Sequence, residues 1–150
     1  MELIINSAQD QKQLGECIGK AITDTTIILL DGELGAGKTT LTQGIGRGLD
    51  IEETINSPTF TIAKQYEGSR ELNHLDVYRL EGLDEDMGIE DYVYDGSVLI
   101  IEWSKFIDTD IFDEYLHIQI DYLDEARKIK FTPYGTYYEE LLEKVSKCII

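Results

Sequence analysis

Thr25-Thr26-Ile27-Ile28-Leu29-Leu30-Asp31-Gly32-Glu33-Leu34-Gly35-Ala36-Gly37-Lys38-Thr39-Thr40 is the stretch on which the fold turns. Residues 25–30 form a β-branched, apolar run of the kind buried on both faces of a parallel sheet. A glycine-rich turn follows at once, and helix is predicted from Lys38 to about Leu49. Gly32-x-x-x-x-Gly37-Lys38-Thr39 completes the P-loop pattern in its required setting, after a strand and at the opening of a helix. Glycines let such a loop wrap its N–H groups around an anion, and the helix adds the positive end of its dipole. The pattern assigns Gly32, Glu33, Leu34, Gly35, Ala36, Gly37, Lys38, Thr39 and Thr40 to nucleotide binding. Lys38 reaches the β- and γ-phosphates, and the Thr39 hydroxyl reaches Mg²⁺.

Outward from this stretch, strands alternate with helices. Glu2 to Asn6 is a predicted strand. Ser7-Ala8-Gln9-Asp10 opens a helix whose Leu14, Cys17, Ile18, Ala21 and Ile22 share one face. Gly44, Gly46 and Gly48 weaken the second helix and mark close packing or fraying. Thr59–Tyr66 and Glu71–Tyr78 form a predicted hairpin. Leu83–Tyr94 holds a predicted helix, and Val98–Ile101 is a further buried strand. Tyr115–Leu123 and Lys128–Phe131 make a second hairpin around residues 124–127, and Tyr137–Val145 is a closing helix. The expected fold is a P-loop, three-layer α/β/α domain spanning residues 1–150, with a mixed, mainly parallel sheet and β-hairpins.

Composition narrows the function. At 42% apolar and 29% charged residues the chain is ordinary for a globular protein. Its formal net charge of −17 opposes nucleic-acid binding by the chain alone, because that affinity comes largely from Lys and Arg neutralising phosphates. No apolar run reaches transmembrane length, and residues 1–7 lack the basic start of a signal peptide. Cys17 and Cys148 fall in no metal or redox spacing and are expected as buried packing residues, which suits a cytoplasmic protein.

Two acids stand out. Glu102 ends the buried strand Val98–Ile101, at the carboxyl edge where open α/β sheets bind ligands, and is the expected Mg²⁺-side acid. Asp76 alternates with His74 and Tyr78 on one strand face. That face either orders water beside a nucleotide or is the exposed side of a half-buried sheet. His117 is expected as a surface or satisfied sheet histidine. No Asn-Lys-x-Asp motif supports guanine selectivity, and no arginine-rich lid is present. A small-metabolite kinase is therefore disfavoured, although it stays open beside an ATP-bound, non-catalytic adaptor.

Read together, Gly32–Thr40, Ser57-Pro58-Thr59-Phe60-Thr61, His74-Leu75-Asp76-Val77-Tyr78-Arg79-Leu80, Met87-Gly88-Ile89 and Ile101-Glu102-Trp103 closely resemble the TsaE (YjeE) family over residues 3 to 134. The resemblance implies a small ATPase that binds ATP and Mg²⁺, hydrolyses ATP slowly alone and associates with the TsaB–TsaD heterodimer. It implies a role in making threonylcarbamoyladenosine (t6A) in tRNA next to the anticodon, with the group transfer done by TsaD. By the same resemblance Lys38, Asp76 and Thr59 are the catalytic set, Thr59 lying in a switch-like segment. Thr39 and Glu102 are the metal side, and Ser7 and Arg127 approach the adenine. Trp103 packs near the site. Ser104 stands where many members carry proline, a departure expected to affect only a turn. The segment Glu81–Asp95, rich in acids and free of Lys and Arg, is either a solubilising face or a docking face for the TsaB–TsaD heterodimer with Met87–Ile89 as its apolar centre.

Overall fold

The computed structural model describes residues 1–33, 35–56, 63–77 and 88–149. Seven strands form one sheet in the order β1-β7-β6-β2-β5-β4-β3. They are β1 (Glu2–Ile5), β2 (Thr26–Gly32), β3 (Ala63–Tyr66), β4 (Leu72–Asp76), β5 (Val98–Glu102), β6 (Tyr115–Leu123) and β7 (Ala126–Tyr134). The four central strands, β6, β2, β5 and β4, run parallel. Antiparallel β7 and β1 extend one side and antiparallel β3 the other. All seven residues of β2 are buried, as its position between β5 and β6 requires.

The α-helices α1 (Ala8–Ala21), α2 (Lys38–Gly48) and α3 (Thr136–Cys148) supply one layer. Their apolar faces meet Ile28, Leu30, Ile100, Ile118 and Phe131 in the larger core. On the opposite face Ile27, Leu29, Leu75, Leu99 and Ile101 are covered by Ile89, Trp103 and Phe112, which stand on or beside short 3₁₀ turns. The expected three-layer α/β arrangement with a mixed sheet is therefore present, its third layer built of short turns.

Local signals explain the boundaries. Ser7 caps α1 by accepting from Asp10 N at 3.1 Å. The second hairpin turns on Asp124–Glu125 alone, with Leu123 opposite Ala126 and Asp124 at φ 54°, so it is tighter than the sequence suggested. Residues 88–94 do not continue a helix from Leu83. Gly88 is left-handed at φ 64° and opens only a 3₁₀ turn, Ile89–Tyr92. Residues 83–87 lie outside the described set. Ile89 is also 7% exposed and packs in the second core, so it cannot form the apolar centre of an acidic docking face. Glu90, Asp91 and Asp95 are exposed, and Glu81, Asp84, Glu85, Asp86 and Met87 lie outside the described residues.

The glycines of α2 serve close packing. A Cβ on Gly44 would stand 2.2 Å from Lys12 O, and one on Gly48 would stand 2.4 Å from Glu16 O. Gly15 and Gly19 of α1 meet Leu41 O and Ile45 O in the same way, so the two backbones touch directly. The cysteines depart from expectation. They are not separate packing residues, because α1 and α3 lie side by side and bring Cys17 and Cys148 into a disulfide with a Cα–Cα distance of 5.8 Å.

Gly44→Ala is expected to destabilise the protein by about 1–3 kcal/mol, the usual cost of overpacking a tight contact. Urea denaturation measures it, and an unchanged midpoint contradicts the contact. The disulfide closes a sequence separation of 131 residues. Cys148→Ser should therefore lower stability by roughly 2–4 kcal/mol, read as a fall in Tm under non-reducing conditions that dithiothreitol reproduces in the parent chain.

Candidate functional site

The loop between β2 and α2 takes its shape from two glycines in the left-handed region, Gly35 at φ 81° and Gly37 at φ 104°. A side chain at either position would be strained. Gln11 of α1 braces the loop from behind: its Nε2 donates to Gly37 O at 2.8 Å. Leu41 N donates to the same carbonyl and starts the α2 ladder. Leu34 lies outside the described residues.

Lys38 opens α2 and is only 5% exposed. Its Nζ donates to Gly32 O at 2.7 Å and Glu33 O at 3.0 Å, and lies 4.0 Å from the centre of the Trp103 indole. Burial pulls the lysine pKa down from its ordinary value, with the carboxylates of Glu102, Asp76 and Asp31 pulling the other way. The ammonium group is buried, and the three acids offset part of the cost of that burial.

Sheet register places two of those acids. Leu30 pairs with Glu102, and Glu102 pairs with Asp76, at the carboxyl ends of three parallel strands. Both carboxylates therefore leave the same edge and the same face. Glu102 is 2% exposed, and His74, fully buried on β4, meets its Oε2 through Nε2. Of the alternatives for the His74–Asp76 face, the solvent-exposed one is excluded for His74. Nδ1 of His74 is buried with no hydrogen-bond partner among the described residues. Tyr78, the third member of that face, and Thr59 lie outside the described residues.

A cavity of about 340 Å³ gathers Gly35, Gly37, Lys38, Thr39 and Thr40 with Asp76, Glu102 and Trp103. Next to it, about 190 Å³ of space is lined by Ser7, Gln11, Ala36, Thr40 and Arg127 among others. Ser7 and Arg127, 120 residues apart in sequence, thus reach the same loop through the β1–β7 pairing, in which Ile5 stands opposite Arg127. The Arg127 guanidinium lies 4.3 Å from the Tyr122 ring centre. A larger cavity, about 590 Å³, opens beside the Cys17–Cys148 disulfide and shares no lining residue with the loop. Its size carries no chemistry, whereas the smaller pair holds the converging polar groups. Thr39 Oγ, Glu102 and Asp76 are hard oxygen donors, the type that suits Mg²⁺, which takes few protein ligands and shares the rest with phosphate and water. Among the described residues no cluster of three or more His, Cys, Asp or Glu side chains is arranged to cage a metal without such help.

Sequence reasoning missed Asp31. It is 6% exposed, at the end of β2, and accepts from Ser104 Oγ at 2.5 Å, His117 Nε2 at 2.8 Å and Lys105 N at 3.3 Å. His117 is accordingly a satisfied sheet histidine. The visible signal was an acid closing an otherwise apolar buried strand.

A seven-stranded mixed sheet with a glycine loop, a buried lysine and two strand-end acids at one edge defines a class of α/β proteins, and the comparisons resolve it further. Residues 5–129 match the family model described as "Threonylcarbamoyl adenosine biosynthesis protein TsaE". A Bacillus subtilis (strain 168) protein named tRNA threonylcarbamoyladenosine biosynthesis protein TsaE is 44% identical over 123 residues, covering 81% of this chain and 78% of that protein. A protein of the same name from Nostoc sp. is 37% identical over 149 residues, covering 94% and 91%. The crystal structure of Bacillus subtilis YdiB superposes with a TM-score of 0.80 at 32% identity, over 98% of this chain and 94% of that one. The chain belongs to the TsaE family.

Burial alone would raise the Asp31 pKa, but the His117 and Ser104 hydrogen bonds and the Lys105 amide outweigh it and hold the carboxyl below its ordinary 3.8. Its stabilising contribution is full above that value and is lost as pH falls through the lower folded value. Asp31→Asn should therefore flatten the acid limb of the stability curve below about pH 4. Denaturant midpoints measured from pH 6 down to pH 2 check this, with parallel curves for the two proteins as the contrary result.

Proposed function

We propose that this protein is a Mg²⁺-dependent ATPase that serves t6A modification of tRNA, acting on the TsaB–TsaD pair without itself transferring the threonylcarbamoyl group. Membership of the TsaE family supports the pathway. One observation carries the chemistry: the loop, Lys38, Thr39, Asp76 and Glu102 line a single cavity.

In this reading residues 32–40 form a P-loop whose N–H groups cradle the phosphates. Lys38 exchanges its contacts with Gly32 O and Glu33 O for phosphate oxygens and neutralises charge that develops on the γ-phosphoryl group. Thr39 and Glu102 would hold Mg²⁺ through their side-chain oxygens. The metal supplies charge neutralisation on the phosphates when bound. Asp76, which lines the same cavity, orients the attacking water. Thr59 would sense the γ-phosphate, as the family resemblance implies. Ser7 and Arg127 border the base. Positioning and electrostatics carry most of the rate, as phosphoryl transfer requires. The formal charge of −17 fits a protein that meets tRNA only through partners which hold it. The role is assigned to the cytoplasm as part of this reading; separately, among the described residues no helix is long and apolar enough to cross a membrane.

Lys38→Ala should weaken ATP binding and lower turnover by roughly 10²-fold or more. Glu102→Ala should raise the Mg²⁺ concentration needed for activity, while Asp76→Ala should bind ATP and fail to turn it over. Phosphate release across a Mg²⁺ titration, with and without the partner pair, checks all three. Near-normal turnover in folded Lys38→Ala would falsify the phosphate-site assignment. A phosphorylated small molecule as product would mark a kinase. Sustained tRNA modification with a non-hydrolysable ATP analogue would mark an adaptor.

A further inference from the structure

Trp103 is an unusual residue at which to turn a chain. Its φ is 64°, in the left-handed region that tryptophan disfavours, and it follows directly on Glu102. Such a turn persists only when its surroundings hold it. Two consecutive residues of β2 do so. Leu30 O accepts from Trp103 N at 3.0 Å. The Asp31 carboxylate accepts from Ser104 Oγ at 2.5 Å and Lys105 N at 3.3 Å. His117 Nε2, from β6 on the other side of β2, binds the same carboxylate at 2.8 Å and fixes its direction. The product of this clamp is the indole lying 4.0 Å from Lys38 Nζ, with Lys105 Nζ at 5.2 Å from the same ring.

We infer that Asp31 is a positioning residue: it clamps the Trp103–Lys105 turn onto the end of β2 so that the indole covers Lys38 and sets the direction of its ammonium group. Ser104 is then part of the clamp and more than a neutral replacement in a turn. It is 1% exposed, and its hydroxyl makes the shortest contact to Asp31. A simpler structural role, satisfying a buried carboxylate, needs the same hydrogen bonds but predicts nothing for Trp103 or Lys38. The catalytic consequence rests on the ATPase reading above, whereas the geometric one does not.

Trp103 is the only tryptophan in the chain, so its fluorescence reports the turn directly. Asp31→Ala and Ser104→Ala should each shift its emission to the red and raise its quenching by acrylamide, measured without nucleotide. Each should also raise the KM for ATP by roughly three- to tenfold, the range expected from losing a partly buried cation–π contact. The double variant should behave as Asp31→Ala alone, because both changes break one clamp. Asp31→Glu should recover part of both signals. Should Asp31→Ala fail to fold, Ser104→Ala, which removes a single hydroxyl, carries the test. Unchanged emission in folded variants overturns the clamp. A shifted emission with unaltered ATP affinity and turnover overturns its action on Lys38. If the parent protein neither binds nor hydrolyses ATP, the ATPase reading fails, and the fluorescence without nucleotide still decides the clamp.

Discussion

Across the middle of the sheet Leu30 on β2 pairs with Glu102 on β5, and Glu102 pairs with Asp76 on β4. Because the three strands are parallel, one register sets where all of them end. The glycine loop leaves β2 two residues after Leu30, so the loop and both carboxylates must share an edge. A slip of one residue on β5 would turn Glu102 into the opposite core and Ile101 toward the loop. The apolar alternation against two separate cores makes that slip costly, so hydrophobic packing on either face locks the polar geometry between them.

Charge at that edge is deliberately unbalanced. Lys38 feels Glu102, Asp76 and Asp31 as attraction and Lys105 as repulsion. Glu102 is nearly buried and draws on His74, yet His74 offers it a single ring nitrogen. Buried carboxylates without full compensation are costly unless a cation joins them. Under the proposed reading, a divalent ion arriving with phosphates would neutralise the acids and bring anions to Lys38 and the loop.

Much of this was legible in the chain. The β2 run, the loop and α2 follow from composition and glycine placement, and Glu102 from an acid ending an apolar strand. Antiparallel β3 and β7 were legible as hairpin partners of β4 and β6, whereas β1 beside β7 was not. What escaped reading depended on contacts between distant residues. Asp31 shows no motif, and its meaning comes from Ser104 and His117, which only the sheet brings together. His74 alternates with Asp76 as a polar strand face should, but His74 is fully buried against Glu102, so at that position the pattern marks a buried polar partner rather than an exposed face. The cysteines carry no spacing signal because their pairing depends on α1 and α3 lying on the same layer.

The helical layer connects to the loop by a path that is short in space and long in sequence. α1 and α2 touch backbone to backbone through their glycines, so they form one closely packed pair. Gln11 extends that rigid pair to the loop by holding Gly37 O. At the other end α1 is joined covalently to α3. α3 in turn meets the start of β2: Ile27 N donates to Tyr138 Oη at 2.9 Å, and the Tyr137 hydroxyl bonds Thr26 Oγ1 at 2.8 Å. Both ends of β2 are therefore fixed to one helical block, its first residues through α3 and the loop beyond its last through Gln11. The parallel register fixes which groups share the edge, and this block braces the loop beside them.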